Sequence, residues 1–244
     1  MAWLLLALPL LPMAAAPAVY ALTRRKREAG YAAHALVSAL SLGMALSLLI
    51  HAFQGQDISL ALPCAAAQGI HLRADGFRAL YAAVLSFMWL LTGWLTPEYL
   101  AHGRRHGRYL LFTLLTLGGS LGVVLSDDFY TALIFFEIMS LASYPWVAHE
   151  EEPEAMRAAG TYLAVAILGG MAALLGLILL KSRLGTLMFS EMPPAAEAFE
   201  DKRPLILPGL LILTGFGAKA GMFPLHIWLP KSHPAAPAPA SALL

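Results

Sequence analysis

The sequence predicts an all-α polytopic membrane protein of about seven transmembrane helices, the last one broken. Three observations lead there. Of 244 residues, 59% are hydrophobic and only 13% charged, against about 25% charged in an ordinary soluble domain. Apolar stretches of roughly 20 residues, the length that crosses a hydrocarbon core about 30 Å thick, recur between charged or proline-rich breaks. Lysines and arginines gather in short connections instead of covering a face.

The candidate crossings are residues 2–22, 31–53, 76–97, 109–125, 129–148, 158–180 and 204–229. The first ends in small residues, "AAAPA", as a cleavable signal does. Yet no basic residue precedes it, and Arg24, Arg25, Lys26 and Arg27 follow it, the reverse of a signal peptide. It reads as a retained helix with kinks expected at Pro9, Pro12 and Pro17. Asp75 precedes the third segment as an N-cap, within reach of Arg78. The fourth is short, and its Gly118 and Gly122 allow close helix packing. Asp127 and Asp128 suit the N-cap of the fifth. "HEEEPEAMR" (149–157) reads as a solvated amphipathic connection to the sixth. Trp3, Trp89, Trp94 and Trp146 stand near segment ends, as interfacial belts require. The seventh segment contains Gly215, Gly217 and Gly221 around Lys219, with Pro224 five residues later, so its helix is expected to break there. Beyond it, "HPAAPAPASALL" reads as an irregular connection followed by the first turn of a further helix.

Basic residues mark the cytoplasmic side. The connection after the first segment carries four, and Arg104, Arg105 and Arg108 follow the third. Both are expected in the cytoplasm, which puts the N-terminus outside. The connection at 181–203 runs against this, with Lys181, Arg183, Lys202 and Arg203 on the expected outer side.

Composition also excludes functions. A net charge of +1 argues against a nucleic-acid surface. The single cysteine, Cys64, supports neither a disulfide framework nor an iron–sulfur cluster. His34 and His51 sit at opposite ends of one segment, which fits packing or interfacial roles better than haem ligation. "GFGAKAG" lacks the spacing of a phosphate-binding loop, and no Ser or Thr follows its lysine. No cofactor and no metal are expected, so any redox chemistry belongs to a partner.

Two charges stand at membrane depth. Glu137 is the ninth residue of its segment, and Lys219 has fifteen residues of its own before it and ten after. A charge at the bilayer centre costs about 2.5–3.5 kcal/mol on insertion scales. Both side chains are too central to snorkel. One reading is a fixed structural ion pair. The reading favoured here is a switchable relay, in which the distance to Glu137 sets whether Lys219 holds or releases a proton. The glycines beside Lys219 fit an ion site in a discontinuous helix better than simple close packing. His226, just past the break, is a weaker candidate to carry the proton onward.

"FFEIMSLASYPW", with Ser143 and Tyr144 six and seven residues after Glu137, and "GFGAKAGMFPLHIWLPKSHPAAPAPASALL" are similar to segments of a known family. The chain resembles the antiporter-like proton-translocating subunits of respiratory complex I (NADH:quinone oxidoreductase), the Mrp cation/proton antiporters and the membrane-bound hydrogenases. A looser similarity runs through "RADGFRALY" (73–81) and "GTYLAVA" (160–166). The resemblance implies about fourteen helices built from two inverted five-helix repeats. Residues 1–69 would then be two N-terminal helices, and 70–244 the first repeat, helices three to seven, cut at the start of helix eight. It also implies that Glu137 and Lys219 are the relay pair of a first half-channel, coupled to redox energy from neighbouring subunits. The departures are Phe136, where a tryptophan often precedes the glutamate, and the missing helix eight with its relay residue and the second repeat. Either the sequence is a fragment or a second polypeptide supplies the rest.

The expected function is a non-redox, multi-pass subunit of the cell (inner) membrane that moves protons, with Na⁺ exchange left open, inside a complex I-like, hydrogenase or Mrp-type assembly of membrane subunits. The alternative is a non-conducting scaffold or assembly subunit of such a complex. A quinone- or haem-binding redox enzyme is disfavoured by the lack of ligands.

Overall fold

In the computed structural model the described residues are 2–63, 66, 68–101, 103 and 105–244. Cys64 and Arg104, which entered the sequence argument, lie outside them. The chain is built from long helices: α1 (Ala2–Arg25), α2 (Arg27–Phe53), α3 (Gly76–Tyr99), α4 (His106–Leu125), α5 (Phe129–Val147) and α6 (Pro153–Leu184). Shorter elements follow: α7 (Met192–Glu197), α8 (Ile206–Lys219), α9 (Leu229–Ala235) and α10 (Ala238–Ser241). Five helices, α1 to α4 and α6, are long and apolar enough to cross a membrane. α5 has 19 residues but carries Glu137, and α8 has only 14. Exposed Leu36, Leu168, Met171 and Leu210 suit a lipid-facing exterior, since bilayer contact imposes no cost on apolar side chains.

α1 stays helical through all three of its prolines. α6 begins at Pro153, so most of "HEEEPEAMR" is its first turn: proline fits the first helical position, where its missing N–H has no partner to lose. α8 stops at Lys219, residues 220–224 are not helical, and a short 3₁₀ turn (Leu225–Trp228) leads into α9. Trp89 and Trp146, expected at the membrane interface, are 3% and 1% exposed. Both reach Thr113 of α4, through its carbonyl at 3.0 Å and its hydroxyl at 3.1 Å, so internal acceptors satisfy the indole N–H groups that an interface would otherwise solvate. Trp3 and Trp94 remain exposed.

The all-α expectation needs one correction. Residues between α2 and α3 form an antiparallel hairpin, β1 (Ile58–Leu62) and β2 (Ile70–Ala74), with Ile58 opposite Ala74 and Leu62 opposite Ile70. Alternation turns Leu72 and Ala74 into the core, each 1% exposed. The hairpin then locks onto neighbouring helix ends. The Asp127 N–H donates to the His71 carbonyl (2.9 Å), and the His71 N–H donates to the Thr131 hydroxyl (3.0 Å). His71 Nδ1 lies 3.0 Å from the buried Asp128 carboxylate, which caps α5 by accepting the Thr131 N–H at 2.8 Å. Asp75 caps α3 by accepting the Arg78 N–H (2.9 Å) and pairs with the Arg78 guanidinium, which also binds Asp127 (3.2 Å) and the Ser126 carbonyl (3.2 Å). Both expected acidic caps therefore form, within one polar cluster.

α1 to α4 and the hairpin share the largest apolar core. Gly118 and Gly122 do what close packing requires. A methyl on Gly118 would strike α1 at Pro9 and Met13, and one on Gly122 would enter the Phe135 ring of α5. A second core joins α5, α6 and α8 through Leu133, Ala173, Leu177 and Ile212, and it positions the two charged residues considered next.

Candidate functional site

α5, α6 and α8 bring the membrane-depth charges into one neighbourhood. Lys219 is the last residue of α8, so its side chain leaves the helix where the backbone ceases to continue. Its ammonium donates to the hydroxyl oxygens of Tyr162 on α6 and, at 3.3 Å, of Ser143 on α5. The same nitrogen stands 5.5 Å from the centre of the Trp228 ring, whose quadrupole favours a cation. Trp228 is held by its indole N–H, which donates to the Ala218 carbonyl at 2.8 Å, and it packs edge-on against Tyr162 with ring centres 5.0 Å apart.

Hydrogen-bond chemistry gives this cluster a direction. An ammonium only donates, so Tyr162 accepts from Lys219 and its own proton is free to reach Ser143, 2.5 Å away. Ser143 donates in turn to the Met139 carbonyl at 2.8 Å. The chain of donors therefore runs from Lys219 through Tyr162 and Ser143 into the backbone of the helix that carries Glu137.

Glu137 lies on α5 facing Gly170 of α6. The absent side chain at Gly170 makes room for the carboxylate: a methyl there would overlap Oε1 and come within 2.7 Å of the carboxyl carbon. Oε1 is buried and has no hydrogen-bond partner among the described residues. Glu137 and Lys219 form no ion pair among those residues, although the two charges act on each other through space. The fixed ion pair weighed from the sequence is thus not the arrangement found. The ammonium rests on neutral hydroxyls and beside the Trp228 ring instead.

His226 sits in the 3₁₀ turn, stacked on Phe223 with ring centres 5.6 Å apart, and its Nδ1 is buried without a partner among the described residues. It makes no hydrogen bond to the Lys219 cluster among those residues. The glycines divide by role. Gly215 packs tightly on α6 at Gly169 and Ala173, whereas Gly221 supplies the positive φ (71°) of the turn after Lys219. Sequence reasoning missed Tyr162, Trp228 and Gly170. The usable signal was two hydroxyl residues, Ser140 and Ser143, on one face of the helix that bears Glu137.

His34 and His51 do not converge. His34 is 1% exposed and packs against Gly93 of α3, while His51 Nδ1 lies 2.7 Å from the Ser47 carbonyl of its own helix. No cluster of metal-ligating residues occurs among the described residues.

Residues 126–244, which hold this whole cluster, match the family model of the NADH:quinone oxidoreductase/Mrp antiporter transmembrane region. Over these residues the chain belongs to the antiporter-like family. A putative antiporter subunit, mnhD2, of Staphylococcus haemolyticus (strain JCSC1435) is 30% identical across 94% of this chain and 46% of its own length. Hydrogenase-4 component B of Escherichia coli (strain K12) is 30% identical across 71% of this chain and 26% of its own. Among solved structures, a chain of the membrane-bound sulfane sulfur reductase, an archaeal respiratory membrane complex, superposes with a TM-score of 0.85 at 24% identity, over 98% of this chain and 49% of that one. The antiporter-like chain described here spans about half, or less, of these relatives' lengths. It is a multi-pass membrane protein with the antiporter-like fold.

Proposed function

We propose that the chain moves protons within a larger assembly of membrane subunits, with Lys219 as the proton carrier and Glu137 as the counter-charge that modulates it. The observation that carries this reading is the pairing of an unpartnered buried carboxylate oxygen on α5 with an ammonium held by Tyr162 and Ser143 at the end of α8. A permanent structural pair would satisfy both charges against each other, because an unpaired buried charge costs several kcal/mol. Here the ammonium is held by neutral hydroxyls while a buried carboxylate oxygen is left without a partner among the described residues. Movement of Lys219 between its hydroxyl partners and Glu137 changes which group holds the proton.

In this reading α1 to α6 cross the bilayer, and residues 204–229 make a seventh, broken crossing out of α8 and the turns after it. Residues 70–244 are the first antiporter-like repeat. The arginine-bearing connections face the cytoplasm and the N-terminus lies outside, in the inner membrane of the cell. The partners are membrane subunits of a complex I-like, hydrogenase or Mrp-type assembly. Protons are the cargo, with Na⁺ exchange as a variant of the same chemistry. His226 takes a secondary place as an onward acceptor.

Proton uptake by vesicles containing the assembled complex tests the reading. Glu137→Gln and Lys219→Met should each abolish coupled uptake while the complex still forms. Undiminished uptake in both variants would refute it, and loss of assembly with normal uptake in whatever complex remains would favour a scaffold.

A further inference from the structure

On the face of the molecule opposite the hairpin, the end of α1 and the starts of α2 and α4 enclose a pocket of about 330 Å³ lined by Arg24, Arg25, Arg27, Arg105 and His106. Charge accounting makes it an unbalanced site. Arg105 is neutralised by Glu151, which also binds Arg108. Lys26 stands 3.9 Å from Glu28, both highly exposed. Arg24, Arg25 and Arg27 have no carboxylate partner among the described residues, and Arg24 is steadied only by the face of Tyr20, 5.9 Å away. Two long helices also begin here, α2 at Arg27 and α4 at His106, and neither N-cap residue supplies a side-chain hydrogen bond. Their first-turn N–H groups and the positive ends of their dipoles add to the arginine charge.

A second cavity adjoins the first. It has about 600 Å³, shares Arg24, Arg105 and Gly107 with its neighbour, and extends down the α1–α4 side along Tyr20, Leu111 and Phe112. Leu111 and Phe112 lie in the apolar body of a helix able to cross a membrane. A cationic recess therefore opens onto an apolar groove that descends toward the hydrocarbon. That shape fits a molecule with an anionic head and a hydrocarbon tail.

We propose that this recess binds the phosphate headgroup of an anionic phospholipid, whose acyl chain lies in the Tyr20–Leu111–Phe112 groove. Arg24, Arg25 and Arg27 supply the charge and the bidentate geometry that phosphate oxygens require. The site lies apart from the Glu137–Lys219 cluster and does not depend on the proton-transfer reading. By tying the end of α1 to the starts of α2 and α4, the lipid serves as a cross-brace at the membrane surface.

The full chain, in nanodiscs of phosphatidylcholine alone or mixed with phosphatidylglycerol, provides the test, with lipid retention read by native mass spectrometry and Tm read in parallel. Phosphatidylglycerol should be retained and should raise Tm. Each arginine removed should lower its affinity about fivefold, so the double variant Arg24→Gln/Arg27→Gln should lose about 25-fold. Arg183→Gln, at the far end of α6, should lose nothing. If the double variant does not insert, Arg25→Gln alone should still show the fivefold loss. Equal retention of phosphatidylglycerol by the wild type and the arginine variants overturns the proposal. So does equal protection by inorganic phosphate in phosphatidylcholine discs, which would make the recess a free-anion site.

Discussion

A methyl group at Gly170 should act first on Glu137, whose carboxylate supplies the nearest atoms to it. Adding a Cβ there overlaps the carboxylate, with the carboxyl carbon at 2.7 Å and Oε2 at 3.0 Å. Gly→Ala within a helix ordinarily gains about 1 kcal/mol from backbone entropy, whereas overpacking a well-filled site costs about 1–3 kcal/mol. Gly160 separates the two terms. It lies on the same helix with nothing within 4 Å of its Cβ position, so Gly160→Ala keeps the propensity gain without the overlap. The difference between the two variants then isolates the carboxylate term; because the overlapped atoms are the far end of a flexible side chain that can turn aside, Gly170→Ala should be the less stable by about 1 kcal/mol, the low end of the overpacking range. Unfolding in mixed micelles measures it, and proton uptake in vesicles should fall only for Gly170→Ala. Equal stability and equal uptake in the two alanine variants would refute the placement of Glu137 against α6.

Two further outcomes follow from the same geometry. Tyr162→Phe keeps the ring against Trp228 but deletes the oxygen that accepts from Lys219, and a hydrogen bond to a charged group contributes about 1.5–3 kcal/mol; unfolding of the variant in mixed micelles should show a loss of that size, and an unchanged midpoint would contradict it. Asp75 should give α3 a pH-dependent entrance. Partial burial alone would raise its carboxyl, but the Arg78 N–H and guanidinium, helped by Arg73, outweigh that and hold it below the ordinary carboxylate range. A lowered folded-state value means that the stabilisation is complete above the unfolded-state value and fades as pH falls through the folded one. Amide exchange in the first turn of α3 should therefore accelerate only in strong acid, and Asp75→Asn should remove that pH dependence.

Much of this architecture was legible because a bilayer imposes a length and a cost. Stretches of about 20 apolar residues are visible without any knowledge of packing. Asp75 and Asp128 marked helix starts because a short carboxylate before an apolar run has a backbone N–H to bind. Glu137 and Lys219 stood out through insertion cost alone. Features decided by tertiary partners were not legible. Trp89 and Trp146 read as interfacial because nothing in their own segments revealed Thr113. The hairpin was missed because its short strands gain their worth from docking on α3, α4 and α5. Tyr162 lay in a stretch of ordinary transmembrane composition, and only the approach of α8 gives its hydroxyl a charge to receive.

The docked hairpin has a mechanical consequence. Asp127 and Asp128 fasten the first turn of α5 to β2, while Arg78 ties the same corner to α3. The carboxylate about two and a half helical turns onward is thus carried on a post clamped at its base. The lysine stands at the end of its helix, held there by Trp228 on the Ala218 carbonyl, and a left-handed glycine follows two residues later. In the proposed reading the shuttling falls to the lysine side chain, so Gly221→Ala, which strains the turn after it, should lower proton uptake by vesicles more than an added contact on α5 would.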